Sequence, residues 1–192
     1  FNSTFTKTSN NGWYVSGQTS YKKFGDFNSP DYILTNTGSE SRAFSLFTGR
    51  KEFEQGYEFY YSYLKNKIGI LRSSHIGNVE DLVDGINSNQ PRIIDPFSYD
   101  ISAPRQEVTH QIFKGKYFKR FKELGKLDIQ YDYQNNHRFE FDIRRGDDRN
   151  VAAIDLKLQS HTLKSTLQLD SKTATNFKLG VLARYQDHFA NP

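Results

Sequence analysis

Leu127-Asp128-Ile129-Gln130-Tyr131-Asp132-Tyr133-Gln134 alternates apolar and polar residues without a break. In an extended chain successive side chains point to opposite faces. Leu127, Ile129, Tyr131 and Tyr133 therefore share one face, and Asp128, Gln130, Asp132 and Gln134 share the other, which predicts a strand with one wet side. The period returns at Phe177, Leu179, Val181, Ala183 and Tyr185, opposed by Lys178, Gly180, Arg184 and Gln186, with Leu182 as an exception on the polar side. A third copy sets Trp13, Val15, Gly17, Thr19 and Tyr21 against Tyr14, Ser16, Gln18, Ser20 and Lys22, and Tyr57, Phe59, Tyr61 and Tyr63 make a fourth, more aromatic stripe.

Weaker strands read from Arg42 to Phe53, from Thr109 to Phe121 and from Ile154 to Leu169. In the last, Leu156 and Leu158 have the opposite parity to Leu163, Leu167 and Leu169, which points to a bulge near His161 and Thr162 or to a different register. Phe1 to Lys7 reads as the tail of a further strand, giving about eight strands in all. The short stretch Val79 to Ile86 is the longest with helical character.

The connections alternate in length. Glu54-Gln55-Gly56, Lys122-Glu123-Leu124-Gly125-Lys126 and Asp170-Ser171-Lys172-Thr173 are tight turns, whereas Gly25 to Ser41, Arg72 to Val108 and Asp142 to Ala153 are long. One end of the sheet then carries only hairpin turns and the other all the elaborated loops, the habit of outer-membrane barrels. On that reading the short turns face the periplasm.

Composition agrees with a barrel wall. Aromatics make up 15% of the 192 residues, with 16 Phe and 12 Tyr, yet mean hydropathy is −0.77. Alternating lipid-facing and lumen-facing residues produce this combination, and so does a soluble all-β domain with an aromatic core. No apolar run approaches the roughly 18 residues a membrane-spanning helix needs. Cysteine is absent, which excludes disulfides, thiolate metal sites and a Cys nucleophile. Methionine is also absent, and a processed or truncated piece of a longer chain is expected. The net charge of +4 comes from 26 basic and 22 acidic residues spread along the chain. The densest basic cluster, Lys114, Lys116, Lys119, Arg120 and Lys122, interleaves with Phe113, Tyr117, Phe118 and Phe121 as a strand would, so no nucleic-acid partner is expected.

Ile70-Leu71-Arg72-Ser73-Ser74-His75-Ile76-Gly77-Asn78, then Asp81-Leu82 and Pro104-Arg105-Gln106-Glu107-Val108-Thr109-His110, resembles the barrel of TonB-dependent receptors of the Bacteroidetes type. Tyr21-Lys22-Lys23-Phe24-Gly25-Asp26-Phe27 with Asn36-Thr37-Gly38 is similar to an earlier segment of those barrels, and Asn136-His137-Arg138-Phe139-Glu140-Phe141-Asp142 to another. The resemblance implies an all-β fold, an antiparallel transmembrane β-barrel of about 22 strands of which residues 1–192 form part of a single barrel domain. The family's energy-coupling box and globular plug are not visible in the sequence. It further implies a bacterial outer-membrane receptor that imports a ferric siderophore or similar nutrient without covalent chemistry and without a cofactor. The implied partners are the ferric chelate, the TonB-ExbB-ExbD energy-coupling complex, and outer-membrane lipid with lipopolysaccharide.

Capture of a bulky anionic chelate calls for a water-facing cup of polar, aromatic and cationic groups. The loop Arg72 to Val108 is the best placed, with His75, Arg92, Tyr99 and Arg105 as candidate ligand contacts. A lone His before Ile-Gly-Asn is more often a loop-packing residue. Arg144 and Arg145, in a charged tip with Gly146-Asp147-Asp148-Arg149, are candidates for anions or lipopolysaccharide phosphates, against the commoner reading of a solvated turn with internal ion pairs. Arg138, Glu140 and Asp142 share the lumen-facing parity of their strand and read as structural charges. Asp142 with Asp147-Asp148 lacks the spacing of a calcium loop, so no metal site is expected.

Two other readings stay open. A soluble lipocalin-like barrel would bind a ligand in an apolar pocket. An outer-membrane hydrolase would use Ser73, Ser74, His75 and Asp81, with His110 and His161 also available, although no nucleophile elbow or acid dyad accompanies them.

Overall fold

The computed structural model describes residues 1–74, 78–143, 150–170 and 177–191. The chain is all-β. Its long strands are β1 (Asn2–Thr8), β2 (Trp13–Phe24), β5 (Ser39–Lys51), β6 (Gln55–Gly69), β7 (Arg105–Phe121), β8 (Gly125–Phe141), β9 (Ile154–Leu169) and β10 (Phe177–Asn191). They form one antiparallel eight-stranded sheet in the order β1-β2-β5-β6-β7-β8-β9-β10, so each strand pairs only with its sequence neighbours among the long strands. The sheet is open, with β1 and β10 at its edges. The loop between β2 and β5 holds a miniature hairpin, β3 (Phe27–Asn28) with β4 (Ile33–Leu34), which the sequence pattern did not announce. Between β6 and β7 lie a 3-10 turn (Arg72–Ser74) and the helix α1 (Val79–Asn87). No helix among the described residues is long and apolar enough to cross a membrane, which says nothing of strands.

The register sorts the side chains into two faces. One row runs Gly17, Leu46, Tyr61, Phe113, Tyr133, His161, Tyr185 from β2 to β10, and the next runs Val15, Thr48, Phe59, Gly115, Tyr131, Leu163, Ala183. Neither row holds an Asp, Glu, Lys or Arg. The opposite face sets Ser45, Ser62 and Ile112 beside Gln134, Ser160 and Gln186, with Lys114, Asp132 and Arg184 close by. Among the described residues nothing covers the apolar face: the only buried hydrophobic residues are Ala103 and Phe118, while Phe59, Tyr61, Phe113, Leu163 and Tyr185 are exposed.

The parity break in β9 is not a bulge. β9 keeps an uninterrupted register with both β8 and β10 through His161 and Thr162. Leu156 and Leu158 lie on the polar face opposite Arg138 and Asn136, because near the loops it is the other face that carries Asp155, Lys157 and Gln159. The chemistry of the faces changes there while the backbone does not slip.

The hairpin ends are staggered. The row through Trp13, beside the first turn, passes Arg50 and Tyr57 to Tyr117, and that strand continues to Phe121 before it turns into Gly125. Successive hairpins thus step along the strand direction, as tilted strands in a sheared barrel do. The turn after β7 depends on local backbone: Glu123 has φ 64° and Gly125 φ 128°, and a Cβ at Gly125 would lie 2.0 Å from the Gln168 carbonyl oxygen. Gly125→Ala is expected to destabilise the β7–β8 hairpin by about 1–3 kcal/mol, read as a lower midpoint of thermal unfolding by circular dichroism; an unchanged midpoint would show that the turn relaxes freely.

Candidate functional site

The long connections meet at one end of the sheet and are fastened to one another by buried polar side chains. Asn36, in the left-handed region at φ 65° and 4% exposed, is the central fastener. Its Nδ2 donates to the carbonyls of Ile70 (2.9 Å) and Pro104 (2.8 Å), and its Oδ1 accepts from the Ser102 amide (2.8 Å) and hydroxyl (3.2 Å). Asn tolerates this conformation better than most residues, and its amide can both donate and accept. Asp26, also buried, accepts from the amides of Thr37 (2.9 Å) and Ser98 (3.2 Å). The buried Thr35 hydroxyl accepts from the Asp95 amide at 2.8 Å, and Ser73 exchanges hydrogen bonds with the backbone of Ile93 at 3.1 and 3.2 Å. Apart from the bonds of Asn36 with Ile70 and of Asp26 with Thr37, each ties residues 25–38 or 70–74 to residues 93–104.

Against this layer stands α1. Asn78 caps it by accepting from the Asp81 amide at 2.7 Å, which satisfies one of the free donors of the first turn. Val79, Leu82, Val83 and Ile86 form one apolar stripe at helical spacing and are 41–75% exposed. Leu82 and Ile86, with Leu71 and with Tyr32 from the preceding long loop, line a recess of about 390 Å³ that also holds Asp81 and Arg92.

Arg92 forms an ion pair with Asp81, and the hydrogen bond and the charge of that carboxylate raise its pKa further above the usual arginine value. It remains fully cationic at the rim of an apolar recess. Tyr99 lies outside the recess, 55% exposed, edge-on to Phe97 at 5.1 Å with Lys23 Nζ 5.9 Å from its ring centre. Arg105 is buried at the start of β7, bonded to Glu107 at 2.8 Å and stacked 3.8 Å from the Phe141 ring centre. Both partners share the apolar face of the sheet with it, so Arg105 is held at the loop end of the sheet and does not line the recess. His75, Arg144 and Arg145 lie outside the described residues.

The arrangement therefore brings together Arg92 with Tyr32, Leu71, Asp81, Leu82 and Ile86, and leaves Tyr99 and Arg105 apart. The recess can hold a small amphiphile, its apolar part against the helix and an anionic group at Arg92. Ser73 and Ser74 donate their hydroxyl protons to the carbonyls of Ile93 (3.1 Å) and Leu71 (2.7 Å), so neither is aimed at a base. Among the described residues no group of three or more His, Asp or Glu could hold a metal ion. Lys114, Lys116, Asp128 and Asp132 form ion pairs on the polar face, as do Arg138 and Glu140, in keeping with structural charges.

Removing the Asn36 amide would strip partners from several buried groups, at about 1–3 kcal/mol for each left unsatisfied. Asn36→Ala is expected to raise hydrogen exchange at Ser102 and at other amides of the loop layer while the β6–β8 ladder stays protected, and uniform exchange across both would show that the layer is not a separate unit. Compared with known proteins, the chain matches no protein-family model, no curated protein and no solved structure.

Proposed function

We propose that this sheet is an arc of the wall of a transmembrane β-barrel, and that the barrel is an outer-membrane receptor importing a ferric siderophore or a similar nutrient. The observation that carries the first part is the uncharged, aromatic-rich face that crosses the sheet from β2 to β10 with no second layer over it. Such a face suits lipid, and the polar opposite face suits a hydrated or plugged lumen. On that face of β8 the uncharged span from Leu127 through Ile129, Tyr131 and Tyr133 to Asn135 is close to the roughly 9–11 residues that a tilted strand needs. The staggered hairpins support tilt, and the unpaired edges β1 and β10 take up further strands of the same barrel. A closed eight-stranded soluble barrel would instead pair β1 with β10.

The transport part rests on the segregated loops, the recess at Arg92, and the resemblance of the segments around Ser73, Arg105 and Arg138 to TonB-dependent receptors. The loops and recess capture the chelate from outside, and the TonB-ExbB-ExbD complex supplies the energy for release inward. The reaction is transfer of cargo with no bond made or broken.

The native protein carrying this chain is expected in the detergent-extracted outer-membrane fraction as a species several times heavier than 22.3 kDa, bound to ferric chelates in a manner weakened about tenfold by Arg92→Gln. A soluble species at the mass of this chain would overturn the reading. Within the membrane fraction, Tyr61→Arg in the uncharged face is expected to reduce assembled barrel by about 2–4 kcal/mol, whereas Ser62→Arg on the polar face is tolerated; equal effects on heat-modifiable gel mobility would contradict the assignment of faces.

A further inference from the structure

We propose that the outer face of this wall carries a site for phosphorylated lipid headgroups, formed by Lys65 and Lys67 of β6 beside Arg42 of β5; the inference rests on the barrel-wall reading above. Phe44 and Tyr63 are cross-strand partners in the aromatic face. One step toward the loops on the same face, Arg42 opposes Lys65, and one step beyond that Glu40, Lys67 and Glu107 form a row across β5, β6 and β7. Together the five charged residues line a recess of about 230 Å³. Cationic and aromatic groups therefore succeed one another where a lipid-facing surface passes from acyl chain to headgroup.

The acids of the recess are already engaged. Glu40 accepts from Arg42 Nε at 2.7 Å, and Glu107 accepts from Arg105 Nε at 2.8 Å. Arg42 is held further over the Tyr21 ring at 5.7 Å. Among the described residues, neither Lys65 nor Lys67 has a carboxylate within ion-pair distance. Two ammonium groups are thus left for an outside anion, and their alkyl stems can lie along the wall while the heads reach the headgroup layer.

The position selects a lipid over a free anion. A phosphate seated at Lys65 and Lys67 has the exposed Phe44, Leu46 and Tyr61 directly below it on the same face, so acyl chains attached to that phosphate run along apolar surface. Inorganic phosphate gains only the two charges. The cluster lies on the regular strands β5 and β6.

The test uses the full-length protein purified from outer membranes in detergent, with lipid A, dephosphorylated lipid A and inorganic phosphate as probes and native mass spectrometry as readout. Wild type is expected to retain phosphorylated lipid A, the K65Q/K67Q double variant to retain about tenfold less, and a K164Q/K178Q variant on the opposite face to match wild type. Equal retention by K65Q/K67Q and wild type would overturn the site, as would an equal loss in K164Q/K178Q, or displacement of lipid A by millimolar inorganic phosphate. Folding of each variant is checked by its heat-modifiable gel mobility. Failure of the barrel-wall reading is seen separately and earlier, as absence of the protein from the membrane fraction.

Discussion

An extended apolar surface with no covering partner among the described residues is the constraint on which the rest of this structure depends. At about 25 cal/mol per Å², leaving Phe59, Tyr61, Phe113, Tyr131 and Leu163 in water would forgo much of the stabilisation a fold of this size relies on. Ala103 and Phe118 alone, at 7% exposure each, do not constitute a core. The sheet is held instead by its backbone ladder, continuous from β1 to β10, and by cross-strand contacts on each face such as Trp13 with Tyr57 at 5.6 Å and Tyr14 with Phe47 at 5.2 Å. Under the barrel-wall proposal, lipid supplies the apolar phase that this layer lacks.

The same constraint explains the chemistry at the two limits of the apolar face. In hydrocarbon each backbone polar group must be paired within the protein, and long regular strands with short hairpins achieve this. Charges return to that face only near the ends of the strands. Toward the loops they appear at Arg42, Lys65, His137, Asp155 and Lys157, and His137 pairs with Asp155 at 2.6 Å. His161 lies in the middle of the face, and the Tyr131 hydroxyl meets its Nδ1 at 2.8 Å among the rings of Tyr133 and Tyr185. A hydrogen-bonded imidazole among aromatic rings is far less costly there than an unpaired one.

How much of this was legible in the sequence follows from what makes a pattern visible. β2, β6, β8 and β10 were readable because an apolar and a polar face give an unambiguous period of two. β9 was misread near His161 because parity marks the face only inside the apolar band, and beyond it Leu156 and Leu158 occupy the polar side without any change of register. β7 begins at Arg105, earlier than its pattern suggested, since Arg105 and Glu107 are held by each other and by Phe141 rather than by alternation. In the loops, Arg92 and the length of the second loop were visible. Asn36, Asp26 and Thr35 were not, because most of their partners lie 34 to 72 residues away and no local period connects them. The segment Asn36-Thr37-Gly38 had stood out only through resemblance, and its Asn36 adopts the left-handed conformation at φ 65°.

The loop layer shows how a wall of regular strands can carry a specific recess. Loops are usually where ordering entropy is hardest to recover. Here Asn36 and Asp26 convert two chain segments into one base by satisfying buried amides and carbonyls that would otherwise demand water. On that base α1 presents an exposed apolar stripe, and the Asp81–Arg92 pair joins the start of the helix to the chain that follows it. An anionic group entering the recess competes with Asp81 for Arg92, and apolar parts of the same ligand cover Leu82 and Ile86. A simple anion gains only the first of these interactions, and a simple hydrocarbon only the second. Under the proposed function, selectivity for an amphiphilic anion would follow from placing an ion pair at the rim of this recess on a base that is already ordered.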